Sequence, residues 1–240
     1  NSENNGNNPI SPENGTRRIA GLVWIDTDKN GIRDTSEEFV SGVTVMLLDN
    51  TTSDIATNVN GENLDADFLL PFFQAAEELE MPLFIHPWET MAKDRTPRHN
   101  FMYTVGMPSE TALAAASLIW SGVMEKYPNL KVCFAHGGGS FAYILPRLDQ
   151  GWDVWPHLRL TEYPPSYYAK KFYFDSLVYD KDNFAFLLER FGPDKIIMGS
   201  DYPFLLREIN PGKVIDESLQ LSDDVKQAVL GENARQFLNL

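Results

Sequence analysis

Three apolar runs in this chain each end on one polar side chain and then turn. LFIHPWE delivers His86, VCFAHGGGS delivers His136 and IIMGSDYPF delivers Asp201. The order repeats: apolar run, coordinating residue, then Pro or Gly to bend the backbone where the run stops. Short apolar runs bounded by such signals read as buried strands of a parallel sheet. In a (β/α) barrel, residues at the C-terminal ends of several strands converge on one site. Two imidazoles and a carboxylate gathered there suggest a metal-dependent enzyme, since these side chains are common ligands of catalytic divalent ions.

Helical segments alternate with those runs. DADFLLPFFQAAEELE (65–80) has an acid at its start, and SETALAAASLIWSGVMEKYP (109–128) carries a long apolar stripe with Ser109 and Glu110 at its N-terminal end. KDNFAFLLERFG (181–192) closes on Gly192, and the chain finishes on a helical stretch over 222–240. The strands between them are expected at 82–87, 130–136, 169–177 and 194–201. Alternation of this kind predicts an α/β fold with a parallel sheet. Trp120 and Met124, four apart on an apolar helix, belong to its core face.

Composition narrows the partners. A net charge of −14 and 43% hydrophobic residues, with 15 Phe, describe an acidic chain with enough apolar material for a substantial core. Such a charge repels nucleic acid and anionic membrane surfaces, so neither is an expected partner. No apolar run reaches the roughly 18 residues that would suggest membrane insertion. The one cysteine, Cys133, forms no internal disulfide.

NGENLD, IHPWE, FAHGGGSFAYILPRLDQGW, FYFDS and MGSDYPF followed by PGKVI occur in that order. Together they resemble the 2-amino-3-carboxymuconate-6-semialdehyde decarboxylase family of the amidohydrolase superfamily, from about Thr57 to Leu240. The resemblance implies a metal-dependent (β/α)8 TIM-type barrel that removes CO2 from a small carboxylated substrate. It implies His86 and Asp201 as ligands of zinc or another divalent transition metal, and His136 as the catalytic histidine that handles protons beside the metal. Arg147 matches an arginine that binds a substrate carboxylate, often across a homodimer interface. Phe204 matches an aromatic residue lining the pocket, and Trp88 of IHPWE is placed with the substrate-binding residues.

The chain departs from that family at one point. The family's metal also binds an H-x-H pair on the first strand, whereas the histidines here are His86, His99, His136 and His157, and no two form the pair. A complete barrel takes about 250 residues and eight strands, so the segment from 57 to 240 accommodates only part of one. His99 and His157 sit in polar or Pro-flanked loops and read as surface residues. The HGGG run is not followed by a lysine at P-loop spacing and is therefore not a phosphate loop.

Residues 1–17, rich in Asn, Ser, Gly and Pro, read as a flexible leader. Strand-like IAGLVWI and FVSGVTVMLL then flank D-T-D-K-N-G-I-R-D-T-S-E over 26–37. Against the calcium-loop template, Asp26, Asp28 and Asn30 fill the first positions and Gly31 makes the turn. Ile32 offers its carbonyl, Asp34 occupies the ninth position and Glu37 supplies the bidentate carboxylate. With strands as flanks, residues from about 18 to 55, within a segment of 18–56, resemble part of the B-type repeat of serine-aspartate surface proteins, a calcium-stabilised β-sandwich spacer. Three readings follow: a metal-dependent decarboxylase impaired by the missing H-x-H pair, a calcium-binding surface module, or a chimera of two partial domains. The two segments point to different compartments.

Overall fold

The computed structural model describes residues 58–59, 62–87, 90–218 and 221–240. The leader, the 18–56 segment with its loop of 26–37, and Trp88 lie outside the described residues. The strands β1 (Asn58–Val59) and β2 (Glu62–Asn63) form a small antiparallel pair. Helix α1 (Leu70–Glu78) follows a short 3-10 turn and leads to β3 (Leu83–Ile85). Helices α2 (Met107–Trp120) and α3 (Val123–Lys126) connect β3 to β4 (Val132–Phe134). Helices α4 (Phe141–Val154) and α5 (Pro165–Ala169) lead to β5 (Tyr173–Asp175), and α6 (Lys181–Phe191) leads to β6 (Ile196–Ile197). Helices α7 (Lys213–Asp216), α8 (Asp223–Gln227) and α9 (Asn233–Phe237) complete the order.

The strands β3, β4, β5 and β6 lie side by side in chain order and all run parallel, with Leu83 opposite Val132, Cys133 opposite Tyr173 and Phe174 opposite Ile196. Parallel neighbours joined by helices are the repeating unit of a TIM-type barrel, and this sheet is a four-stranded arc of one. Alternation along each strand sorts the core onto two faces. Ile85, Val132, Phe134, Phe172, Phe174 and Ile196 face the helices and share one buried cluster with Phe141, Phe184 and Phe191. Phe174 stacks on Phe191 at 4.1 Å between ring centroids, and Phe134 meets Phe172 edge-on at 4.9 Å. On the other face, Cys133, Tyr173 and Ile197 pack against Phe237 of α9.

Lys131, one residue before β4, fixes α9 and the residues after it at the N-terminal ends of the strands. Its Nζ donates to the Gln236 carbonyl and to Asn239 Oδ1, both at 2.5 Å. The opposite, C-terminal ends of the strands are thereby left for the site. Among the described residues no helix is long and apolar enough to cross a membrane.

Several local expectations change. The strand expected over 169–177 is confined to Tyr173–Asp175, because Pro165 opens α5 and Ala169 closes it. That short helix is tied to α3 by the Tyr168 hydroxyl, which donates to Glu125. The helix expected over 109–128 begins earlier, at Met107, and breaks at Gly122, whose φ is 76°. Ser109 does not cap it; its hydroxyl donates to the Val105 carbonyl, and Glu110 turns inward to accept the Met91 amide at 2.8 Å. Met124 is fully buried as expected, whereas Trp120 is half-buried. Helix α4 has no counterpart in the expected elements.

Candidate metal centre

His86 immediately follows β3, His136 comes two residues after β4 and Asp201 four residues after β6. The sheet brings all three to its C-terminal edge. Asp201 Oδ1 lies 3.7 Å from His86 Nε2 and 3.5 Å from His136 Nε2, and the three donor sets lie within 4.8 Å of one another. The two imidazoles meet edge-on at 73° with centroids 4.9 Å apart. Phe204, on the loop after Asp201, lies nearly parallel to His86 at 6.3 Å.

This donor set fits a divalent metal. An ion about 2.1 Å from each ligand holds tetrahedral donors about 3.4 Å apart, close to the separations around Asp201. His86 Nε2 and Asp201 Oδ1, 3.7 Å apart, stand at the separation of two ligands of one such ion, with His136 beside them.

The backbone at the site is locally strained. His136 and Asp201 both lie in the left-handed region, with φ of 57° and 58°. For side chains other than Gly this costs roughly 1–2 kcal/mol per residue. After His136, the chain continues left-handed through Gly137, Gly138 and Gly139. Gly139 has no alternative, since a Cβ there would lie 2.0 Å from the Pro108 carbonyl oxygen. The amides of this turn are already engaged: Gly137 donates to Asp175, Gly138 to the Ala135 carbonyl and Gly139 to the His136 carbonyl. None is directed outward for an anion, in keeping with the absence of P-loop spacing.

Asp175, the last residue of β5, was not singled out by residue type, although FYFDS repeats the pattern of an apolar run ending on a polar residue. It is 4% exposed. Burial pushes its carboxyl pKa up, while the nearby charge of His136 and the amides of Gly137, His136 and Leu177 act the other way. Tyr179 stands at the rim with its hydroxyl donating to the Leu206 carbonyl at 2.8 Å. Loss of solvent around the hydroxyl, then the charges of Asp201, Asp175 and Glu208, push that phenol up to about 12.

Arg147 is exposed on α4, where it lines a cavity of about 450 Å3 with Trp120, Trp155 and Leu158. It is not among the residues gathered around Asp201. His99 and His157 are exposed, as expected of surface residues.

The sequence pattern of the amidohydrolase family matches residues 11–240. The chain belongs to the amidohydrolase family. Over 188 residues it is 46% identical to 2-amino-3-carboxymuconate-6-semialdehyde decarboxylase of Dictyostelium discoideum, a match covering 78% of this chain and 52% of the relative. The chain thus spans about half the length of that relative. Among solved structures, 5-carboxyvanillate decarboxylase LigW from Sphingomonas paucimobilis superposes with a TM-score of 0.69 at 25% identity, covering 77% of this chain and 57% of that one. A dihydroxybenzoic acid decarboxylase from Polaromonas sp. JS666, solved with bound manganese and 2-nitroresorcinol, shares the fold at a TM-score of 0.65 and 21% identity, over 78% of this chain and 61% of that one. The family match begins well upstream of residue 57 and so includes the whole of the segment read above as a surface-protein repeat.

Proposed function

We propose that this amidohydrolase chain carries the metal-dependent decarboxylase site of its relatives and acts on a small carboxylate such as 2-amino-3-carboxymuconate semialdehyde. The observation that carries the reading is the convergence of His86, His136 and Asp201 from three separate strand ends. The 46% identity to the amoebal decarboxylase supports the substrate class.

His86 and Asp201 would hold the divalent metal, zinc or manganese, which when bound would supply Lewis-acid chemistry near neutral pH. His136, 3.5 Å from Asp201, is the proton-handling group. An imidazole suits that task because its ordinary pKa is close to neutrality. Loss of CO2 breaks a carbon–carbon bond and leaves its electron pair on the substrate carbon, which must then take a proton. His136 is the group assigned to deliver it. Phe204 lines the pocket beside His86. Arg147 clamps a substrate carboxylate through its guanidinium fork, and its exposure on α4 suits a site completed by a second copy in a homodimer.

The 240 residues include no H-x-H pair. Turnover by this polypeptide alone is therefore expected to be low, because fewer protein ligands orient the reacting groups. The test is to load the purified chain with manganese or zinc and measure metal content together with CO2 release. Metal retained by the wild type and lost in Asp201→Ala supports the site. Equal retention by both overturns it.

A second reading concerns residues 26–37. Every ligand position of a calcium loop is filled there, from Asp26 to Glu37. Calcium bound in that loop would stabilise the N-terminal segment independently of the decarboxylase site, whether or not the two segments have separate origins.

A further inference from the structure

Asp175 is the buried ionisable group at the site to which the proposed chemistry assigns no task. Its position suggests one. The carboxylate Oδ1 accepts the Gly137 amide at 2.8 Å and the Leu177 amide at 3.1 Å. One bond therefore reaches into the turn that carries His136, and the other fixes the strand end from which the carboxylate projects.

The second carboxylate oxygen faces the other turn. At Gly199, two residues before Asp201, a Cβ would lie 2.8 Å from Asp175 Oδ2 and 2.7 Å from its Cβ. No side chain fits between them. The neighbouring Ser176 strengthens this junction: its amide donates to the Ile197 carbonyl at 2.8 Å and its hydroxyl accepts the Gly199 amide at 3.3 Å. The end of β5 thus lies between the turns that present His136 and Asp201, bonded to one and closely packed against the other. Both turns need such support, since His136 and Asp201 hold left-handed backbone conformations that a free chain seldom occupies.

We infer that Asp175 is a positioning residue that sets the separation of His136 and Asp201 by holding the turns on either side of it. It touches neither metal nor substrate in this role. The inference rests on the metal-site reading above, and its test is arranged so that the two fail separately.

The test compares Asp175→Ala, Asp175→Asn and Gly199→Ala with a control, Phe191→Ala, which opens a cavity in the helix-facing core away from the site. Manganese affinity is measured by titration calorimetry on the full chain, and exchange of the Gly137 amide by NMR on the same metal-free samples. Asp175→Ala should weaken manganese binding about 10–100-fold, the range typical of residues that orient ligands, and should expose the Gly137 amide to exchange. Asp175→Asn keeps an acceptor oxygen and should recover affinity to within about threefold. Phe191→Ala should lose stability with its metal affinity unchanged.

If Asp175→Ala does not fold, Gly199→Ala decides, because it crowds the same carboxylate without removing it and should also weaken binding. Wild-type affinity in the folded Asp175 and Gly199 variants overturns the inference, as does a loss no greater than that of the control. If the wild type itself binds no manganese, the proposed site fails, while Gly137 exchange still shows whether Asp175 holds the turn. Unchanged exchange in Asp175→Ala then overturns the inference.

Discussion

His136 Nε2 and Asp201 Oδ1 stand 3.5 Å apart although they come from strands on either side of β5. Under the proposed function the pair divides two tasks, proton handling by His136 and metal binding by Asp201. His136→Asn should leave metal content within about threefold of wild type and reduce CO2 release by about 100-fold or more. Asp201→Ala should lose the metal first and turnover as a consequence. Metal analysis alongside a CO2-release assay separates the two.

Phe204 stacks beside His86 while half of its surface remains exposed. Phe204→Ala should therefore raise KM several-fold and change stability by no more than about 0.5 kcal/mol, as is usual for partly exposed positions. Steady-state kinetics and thermal melting check the split.

Gly139 is held against Pro108 in a left-handed conformation. Gly139→Ala introduces both a clash and backbone strain and should destabilise the fold by more than about 3 kcal/mol. Phe174→Ala, at the centre of the aromatic cluster, should cost about 3–5 kcal/mol. Denaturant titrations measure both.

Tyr179 has its phenol pushed up to about 12 by lost hydration and by neighbouring carboxylates. Because the folded state holds this proton more tightly than the unfolded chain, its contribution to stability is complete below about pH 10. It is lost as pH rises from there through the folded value. Ultraviolet titration of wild type against Tyr179→Phe should show the variant lacking one phenol that ionises above the ordinary tyrosine range.

Calcium binding to residues 26–37 is tested by titration of the wild type against Glu37→Gln. A marked loss of affinity in the variant is expected, since Glu37 fills the bidentate position. Equal binding would reduce the loop to a polar turn.

The strand ends were legible in the sequence because burial on a parallel sheet demands apolar runs, and each run stops at a residue that must face the site. The register of Leu83 with Val132 and of Phe174 with Ile196 pairs residues inside those runs. Helix α4 was not legible, since Pro146 and Gly151 interrupt its signal and its buried side is short, carried by Phe141, Ala142 and Leu145. Neither was the role of Asp175, because residue type does not show which amide a carboxylate will accept. Arg147 was placed by resemblance to a substrate clamp, but its position on α4 is fixed by the helix that follows the glycine turn.

The left-handed backbone at His136 and Asp201 has a consequence for how this sequence can change. Asn adopts that conformation more readily than most residues, and Gly does so without penalty. A single codon change converts Asp to Asn, and another converts His to Asn. In a library sorted for folded protein alone, both positions would drift toward residues that relax the turn and abolish the chemistry. Histidine and aspartate persisting there under mutation, where glycine alone carries no penalty, would then be a record of selection for activity.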